Sequence, residues 1–248
     1  MFIRGVQIRN TLYGPNRDGI DVEACSNVMI SDCDIYTCDD AICIKNGEGV
    51  AAVPVSRNIT VTNCVLCTTC NALKIDSGVG QVRFENITFS NCALYSDLSP
   101  QDSGNSKHYR HLQDFRATSG IHIDSGYEGP EIAGVVISNI SMQNQRAPFF
   151  MRVSSRTDKA GHTLPGKLRE VLIDNVQATG QVLTSSITGL PNHNIENISL
   201  SHIRISSRER GKREWAHRRI PEFPHNYPDA FMLGSLPLTA SIAVTCVA

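Results

Sequence analysis

Two short acidic corners carry the residues of this sequence best suited to acid–base chemistry. The first corner is Asn16-Arg17-Asp18-Gly19, and the second, Cys38-Asp39-Asp40, places Asp40 22 residues after Asp18. If the chain winds in coils, Asp18, Asp39 and Asp40 meet on one wall, and like charges raise the pKa of at least one carboxyl group in such a cluster. Hydrolysis of a glycosidic bond requires one protonated carboxylic acid and one ionised carboxylate.

A single aspartate at a turn commonly does no more than satisfy turn amides. Two acidic corners one coil apart favour the catalytic interpretation instead. Each corner is also followed by a short run rich in β-branched residues, as is typical of strands. We therefore predict that Asp18, Asp39 and Asp40 are catalytic.

A recurring seven-residue phrase indicates the winding. Its copies begin at Gly5, Asn27, Asn58, Asn86, Gly134, Glu170 and Asn197, and they alternate apolar and polar positions, the pattern of a half-buried strand. The sixth position is polar in every copy and predicts a ladder of side chains bonded from coil to coil: Asn10, Asp32, Asn63, Asn91, Asn139, Asn175 and His202. Two or more strands per coil predict an all-β fold, a right-handed single-stranded parallel β-helix.

A second strand follows the first three phrases after 13 residues, and a fourth copy begins at Ser119 after an insertion from about Leu94 to Thr118. The corner column of these strands reads Asp18, Asp40, Asn71 and Ser119. The next column is small (Gly19, Ala41, Ala72, Gly120), and we expect it to leave room for a substrate. The outward columns read Asp21, Cys43, Lys74, His122 and then Glu23, Lys45, Asp76, Asp124. Because coils stack about 4.8 Å apart, we expect Asn16, Lys45, Asn71, Lys74 and His122 to bind substrate.

Composition excludes several classes of partner. The net charge is −1, with 23 basic and 24 acidic residues, so no overall field favours nucleic acid or an acidic membrane surface. No apolar run approaches the roughly 18 residues of a membrane span, and the N-terminus has no signal-peptide pattern. We expect a monomer that uses no metal or other cofactor.

The nine cysteines are explained mostly by the repeat. Cys33, Cys64 and Cys92 fill the seventh position of the phrase, where a cysteine acts as a small hydrophobe inside the coil. The spacing of Cys64, Cys67 and Cys70 at threes admits a metal site, and neighbouring coils admit a disulfide. We predict mostly reduced, structural thiols.

The domain prediction is a single parallel β-helix over residues 1–248. The chain begins directly on a repeat phrase with no capping element, so we expect it to be a fragment that lacks N-terminal coils. Residues 207–230 form a basic segment with prolines, which we interpret as a solvated loop near the C-terminus.

The acidic corners resemble glycoside hydrolase family 28, the polygalacturonase-like enzymes. That family carries Asn-Thr-Asp-Gly, then Gly-Asp-Asp-x-Ile-x-Ile-Lys, then Gly-His-Gly, then Arg-Ile-Lys on a right-handed parallel β-helix. Here Asn16–Gly19 matches the first motif with Arg17 for Thr, and Cys38–Lys45 matches the second with Cys38 for Gly. The segment that begins at Tyr227 also resembles the family's closing segment.

The resemblance implies an inverting hydrolase with Asp39 as general acid, while Asp18 and Asp40 activate water. It also implies a polysaccharide or oligosaccharide substrate and a secreted or periplasmic protein. The third and fourth motifs differ, because they read Cys70-Asn71-Ala72 and His122-Ile123-Asp124. Both cations that grip the substrate carboxylate in the family are lost, and we expect Asp124 to repel galacturonate.

Three functions stay open on the sequence alone. The first is an inverting hydrolase of a pectic polysaccharide, whose substrate is a galacturonan, a rhamnose-containing chain or a neutral side chain. The second is a β-helix that binds glycan without cleaving it. The third is a polysaccharide lyase, which typically needs Ca²⁺ and a basic residue, and Lys74 is the outward candidate for that base.

Overall fold

The computed structural model describes residues 1–14, 16–46, 55–76, 82–99, 115–127, 129–156, 164–208 and 242–245. Seventeen β-strands lie in these residues. They are β1 (Phe2–Arg4), β2 (Gln7–Arg9), β3 (Ile20–Glu23), β4 (Ser26–Ser31), β5 (Asp34–Tyr36), β6 (Ile42–Lys45), β7 (Val55–Thr62), β8 (Val65–Cys67), β9 (Asn71–Asp76), β10 (Arg83–Tyr95), β11 (Ser119–Tyr127), β12 (Glu131–Gln143), β13 (Ala147–Arg156), β14 (Lys167–Gln181), β15 (Ser185–Thr188), β16 (Glu196–Ser207) and β17 (Ile242–Thr245). Within the same residues, no helix has the length and hydropathy needed to cross a membrane.

Two parallel sheets, which we name sheet A and sheet B, form the walls of a solenoid. Sheet A has the order β1-β4-β7-β10-β12-β14-β16, and β2, β5 and β8 extend it alongside. Sheet B has the order β17-β15-β13-β11-β9-β6-β3. Neighbours within each sheet come from successive coils, so every coil pairs with the next one. The predicted parallel β-helix is therefore confirmed.

Residues with positive φ divide the strands of sheet A into segments. In β10, Asn86 (φ 54°) and Asn91 (φ 53°) each interrupt the alternation of buried and exposed side chains. Asparagine tolerates this left-handed conformation better than most residues. The alternation restarts after each bend, so Phe84, Ile87 and Phe89 all face the interior at 0% exposure.

The predicted ladder of polar side chains is confirmed in part: Asn63 bonds to Asp32, Asn139 to Asn91 and Asn175 to Asn139, whereas Asn10, Asn91 and His202 bond to Thr37, Thr62 and Asp174. The amide of Asn139 donates to the side-chain oxygen of Asn91 at 3.0 Å, and that of Asn175 donates to Asn139 at 2.8 Å. A second ladder joins the other bend, where Asn58 donates to Asn27 and Asn86 donates to Asn58, each at 2.8 Å. Each ladder bonds one coil to the next and fixes the register of the stack.

The position assigned to the first copy of the repeat is wrong. Arg4 pairs with Ser31, and the backbone N–H of Gly5 donates to the Ser31 carbonyl at 3.1 Å. Gly5 therefore corresponds to the sixth position of the phrase, that of Asp32, and not to the first. The strand pairs of sheet A in the first two coils are offset by 27 residues, as in Gln7 with Asp34.

The small residues beside the acidic corners serve packing, and the prediction that they leave room for a substrate is wrong. Ala41 and Ala72 are buried at 0% and 1% exposure. A Cβ atom on Gly19 would lie 2.2 Å from the Ala41 carbonyl oxygen and 2.7 Å from an Ile35 methyl carbon. These positions are small because the backbone of one coil approaches its neighbour closely.

The eight cysteines of the described residues are all free, as predicted for structural thiols. Cys33, Cys64 and Cys92 are 1–3% exposed and take the interior positions expected of small hydrophobes. Of the predicted basic loop at 207–230, only Ser207 and Arg208 lie in the described residues. The closing segment that begins at Tyr227 lies outside them.

Candidate active site

The predicted corner column is present on sheet B. Ile20 pairs with Ile42, Ile42 with Leu73, and Leu73 with Ile121. The residues two positions earlier, Asp18, Asp40, Asn71 and Ser119, therefore follow one another from coil to coil. The backbone N–H of Gly19 donates to the Asp40 carbonyl at 2.8 Å, which holds the first two coils together at the acids.

Asp40 is buried, and its two carboxylate oxygens have different partners. The Asn71 amide donates to Oδ1 at 2.7 Å, and the Lys74 ammonium lies 2.8 Å from Oδ2. Ser119 donates to the Asn71 side-chain oxygen at 2.6 Å, which orients the amide toward Asp40. Lys74 also lies 3.0 Å from Asp76. The position of Asp40 is thus fixed from the next two coils.

Asp39 is partly exposed and faces the loop of the first coil. Its Oδ2 accepts a hydrogen bond from the Asn16 backbone N–H at 3.1 Å, and its Oδ1 accepts one from the Asp40 N–H at 3.0 Å. The Asp39 N–H donates to the Arg17 carbonyl at 3.3 Å. Ten residues separate β2 from β3, but only five separate β5 from β6. The longer first loop is what brings Asn16 and Arg17 over Asp39.

Asp18 has the perturbed acidity that the sequence predicts for such a cluster. Burial raises its pKa to about 6, and the negative charges of Asp21, Asp39 and Asp40 add to the rise. Lys45 opposes it from 3.6 Å and lies closer to Asp21, at 2.5 Å. The Asp18 side chain keeps 25% of its surface exposed, so it remains open to a substrate or to water.

Lys74 and His122 lie on the predicted column, but they are buried at 4% and 1% exposure. The His122 ring lies 5.0 Å from that of Phe150, and neither of its nitrogens has a hydrogen-bond partner in the described part of the chain. Burial, with the Lys74 charge added, holds the His122 pKa well below its ordinary value. His122 is therefore uncharged at neutral pH, and a direct contact with substrate stays a prediction for it and for Lys74.

Asp124 is buried, at 0% exposure, beside other charged groups. Burial, followed by the charge of Asp76, raises its pKa well above the ordinary value, whereas the hydrogen bond that Ser154 donates to its Oδ1 at 3.0 Å and the charges of Lys74 and Arg152 lower it. The repulsion of galacturonate by Asp124 stays a prediction.

Two polar residues of the site were not predicted from the sequence. Asp21 contacts Lys45 and raises the pKa of Asp18, and Ser119 orients Asn71. Both residues stood in the aligned columns. A count of opposite charges between neighbouring coils, Asp21 against Lys45, would have revealed the first of them.

Asp39, Asp40 and Cys70 could hold a metal ion by proximity, since one ligand atom of each lies within 4.8 Å of the others. Two observations weigh against a tight site. Both oxygens of Asp40 already have partners in Asn71 and Lys74. Burial also raises the pKa of the Cys70 thiol, so a metal would have to displace a tightly held proton.

Asp18 stabilises the fold less when it is ionised than when it is protonated, and this predicts a gain of stability on its replacement. A folded-state pKa of about 6, against an ordinary 3.8, gives a stabilisation that is complete below 3.8 and lost as pH rises through 6. We expect Asp18→Asn to raise the free energy of unfolding by ~1–3 kcal/mol at pH 7 and to leave it nearly unchanged below about pH 4. Denaturant unfolding at both pH values measures this.

Asp34→Asn is the matched control, because folding lowers the pKa of Asp34 whereas it raises that of Asp18. The side-chain hydrogen bond from Arg9 lowers the Asp34 pKa, so its replacement should destabilise the protein at neutral pH. Loss of stability in Asp18→Asn at pH 7 would contradict the conclusion that the ionised Asp18 carboxylate destabilises the fold.

The fold and the site together define a parallel β-helix that carries a cluster of carboxyl groups on one sheet. The model of the family "Glycosyl hydrolases family 28" matches residues 1–95, which include both acidic corners. This part of the chain is therefore similar to that family.

Proteins named as polygalacturonases are also similar to this chain. A "Probable polygalacturonase" of Vitis vinifera is 22% identical over 230 residues, which cover 86% of this chain and 41% of the relative. A second "Probable polygalacturonase", of Arabidopsis thaliana, is 32% identical over 117 residues, 36% of this chain and 26% of that protein. The crystal structure of a hyperthermoactive exopolygalacturonase from Thermotoga maritima superposes with a TM-score of 0.62 at 21% identity, and covers 83% of this chain and 44% of that one. The chain thus spans less than half of the length of each of these relatives, and the likeness to the Thermotoga maritima protein shows a right-handed parallel β-helix.

Proposed function

We propose that this chain hydrolyses O-glycosidic bonds of a pectic polysaccharide with inversion at the anomeric carbon. The observation that carries the proposal is the meeting of Asp18, Asp39 and Asp40 on one sheet in three different environments. The match of residues 1–95 to the glycosyl hydrolase family supports glycoside hydrolysis, and the relatives named as polygalacturonases support a pectic substrate. Action on such a substrate fits the expected secreted or periplasmic location.

The resemblance to the family assigns the two roles that inversion requires. Asp39 is the general acid, which gives its proton to the glycosidic oxygen as the bond from the anomeric carbon breaks. Asp18 and Asp40 orient a water molecule on the opposite face of the sugar, and its proton passes to the Asp18 carboxylate as the new C–O bond forms. Asp18 is ionised above its pKa of about 6, and Asp40 is held still by Lys74 and Asn71.

A lyase mechanism is less well supported by the position of Lys74. The lyase base must reach a proton beside the uronate carboxylate of the substrate. Lys74 has only 5% of its side chain exposed and lies within 3.0 Å of both Asp40 and Asp76. It is therefore engaged with the protein itself and does not face the solvent.

A panel of pectic oligosaccharides tests the proposal. The panel contains oligogalacturonates, their methyl esters, rhamnose-containing oligomers and neutral galactans, and NMR follows the first anomer formed. We expect release of the inverted anomer from at least one class. The retained anomer would contradict the mechanism, an unsaturated product that absorbs ultraviolet light would show a lyase, and affinity without any product would show a binding protein.

A further inference from the structure

The acid cluster is open to solvent on the side of the first coil. Asn16 and Arg17 are exposed, and Asp18 and Asp39 are partly exposed. On the coils that follow, the outward side chains Lys74, His122 and Asp124 are at most 4% exposed. A sugar that reaches the acids must therefore contact the loop that carries Asn16 and Arg17.

The Arg17 side chain is held in a defined conformation at this opening. Its Nη1 donates to the Thr11 hydroxyl, and its guanidinium carbon lies 5.9 Å from the centre of the Tyr13 ring. A Cβ atom built on Gly14 would be 3.1 Å from the same guanidinium, so the group packs against the loop backbone. A preordered arginine loses little side-chain entropy when it binds a ligand.

The backbone of Arg17 is tied to the proposed general acid. Its carbonyl accepts the Asp39 N–H at 3.3 Å and also the Thr37 hydroxyl. The charge of its guanidinium acts at the same corner. Burial raises the pKa of the Cys38 thiol to about 11, and the Arg17 charge opposes this rise. The Arg17 backbone thus contacts the proposed acid, and the charge of its side chain acts on Cys38, the residue before that acid.

The charge of Arg17 is left for a ligand, whereas nearby lysines are engaged. Lys45 is paired with Asp18 and Asp21, and Lys74 is paired with Asp40 and Asp76. Arg17 makes no ion pair with any carboxylate of the described residues. Asp124 is 0% exposed, so it presents no carboxylate on the surface against an anionic substrate.

We propose that Arg17 binds the carboxylate of a uronate unit next to the scissile bond, and that it makes the substrate an acidic rather than a neutral pectic chain. The inference rests on the proposed function for its setting. A guanidinium can hold a carboxylate through two parallel hydrogen bonds, which makes it a more selective anion ligand than an ammonium. Recognition from the first-coil loop replaces the cations that positions 122 and 124 lack.

Calorimetric titration with trigalacturonate, on an Asp39→Asn background in which turnover is slow, tests the proposal. We expect Arg17→Met to weaken trigalacturonate affinity at least about tenfold, because a charge-assisted bidentate contact is lost. The affinity for a neutral galactan trimer should change less than about twofold. Arg17→Lys should recover part of the loss, and added salt should weaken the parent far more than Arg17→Met.

Arg204→Met is the matched control, because Arg204 is exposed on sheet A, in the last of its coils, far along the stack from Arg17. It should leave both affinities unchanged. Equal losses for the acidic and the neutral trimer in Arg17→Met, no loss at all, or no affinity of the parent for trigalacturonate would each overturn the inference.

The proposed function and this inference fail separately. Hydrolysis that is indifferent to Arg17 would remove the inference and keep the hydrolase. Arg17-dependent binding of trigalacturonate without any hydrolysis by the unsubstituted chain would keep the inference and remove the hydrolase.

Discussion

Asp39→Asn is expected to lower the rate of hydrolysis by about 10²–10⁴-fold, since that is the usual contribution of a positioned general acid. Asparagine keeps the size of the side chain but has no proton to give to the leaving oxygen. Steady-state kinetics on the best oligosaccharide of the pectic panel measures the loss. Unfolding should change by no more than about 1 kcal/mol, because at most one of the hydrogen bonds from the Asn16 and Asp40 amides is lost.

An activated substrate separates the role of proton donor from that of positioning. A glycoside with a nitrophenolate leaving group needs little help from an acid, so Asp39→Asn should cleave it at close to the original rate. Asp18→Asn, which removes a group that activates water, should be slow on both substrates. Asp32→Asn is a control on sheet A, where Asp32 contacts Arg4 and Asn63, and it should retain full activity. Equal losses for Asp39→Asn on both substrates would contradict its role as acid.

The register of sheet B could be predicted from the sequence because side chains in strands alternate with a period of two. Ile20, Ile42, Leu73 and Ile121 must all face the interior, and this requirement alone stacks the corner residues before them. The column of Asp18, Asp40 and Asn71 is therefore a consequence of burial. In sheet A, the polar residue that recurs at the sixth position of the phrase predicted the hydrogen bonds between Asn91, Asn139 and Asn175, but the ladder of Asn27, Asn58 and Asn86 was not predicted.

The register of the first coil in sheet A could not be predicted with the same security. The first and the sixth positions of the repeat both adopt positive φ, as Asn58 (57°) and Asn63 (55°) do, and both favour asparagine or glycine. A shift of five residues therefore preserves much of the pattern. Gly5, with φ 66°, fits either position by type, and only its hydrogen bond to Ser31 distinguishes them.

Burial of the outward face of sheet B could not be predicted from columns at all. Alternation says that Lys74, His122 and Asp124 face away from the interior of the coil, which is correct for the register. It does not say whether that face is exposed to solvent. Burial lowers the pKa of His122 and raises that of Asp124, and neither effect could be predicted from the columns.

Lys74→Met is expected to destabilise the protein by about 3–5 kcal/mol, because it leaves the buried Asp40 carboxylate without its cation. The hydrogen bond from Asn71 remains, but a neutral amide compensates only part of the cost of a buried charge. Denaturant unfolding at neutral pH measures the effect. Activity should fall as well, since Asp40 would take up a proton or move.

Lys45→Met, the same change one coil earlier, is the control. Lys45 is about one-third exposed, and ion pairs of that kind contribute about 0–1 kcal/mol. Its loss should therefore change stability little, although it removes a positive charge from the same cluster. Comparison of the two variants shows how much of the stability change comes from the burial of the ion pair and how much from the loss of a positive charge.

The double variant Lys74→Met with Asp40→Asn decides whether the pair acts as a unit. Removal of both charges leaves no uncompensated carboxylate at position 40, and Asp76, which also loses its cation, keeps 21% of its side chain exposed, so the double variant should regain most of the stability that Lys74→Met loses. It should remain inactive, because Asp40 no longer helps to orient water. Additive losses in the double variant would show that Lys74 stabilises the coil by packing and by its contact with Asp76, and that Asp40 does not depend on it. Recovery of stability without activity would instead show that the buried pair exists to hold a catalytic carboxylate in place.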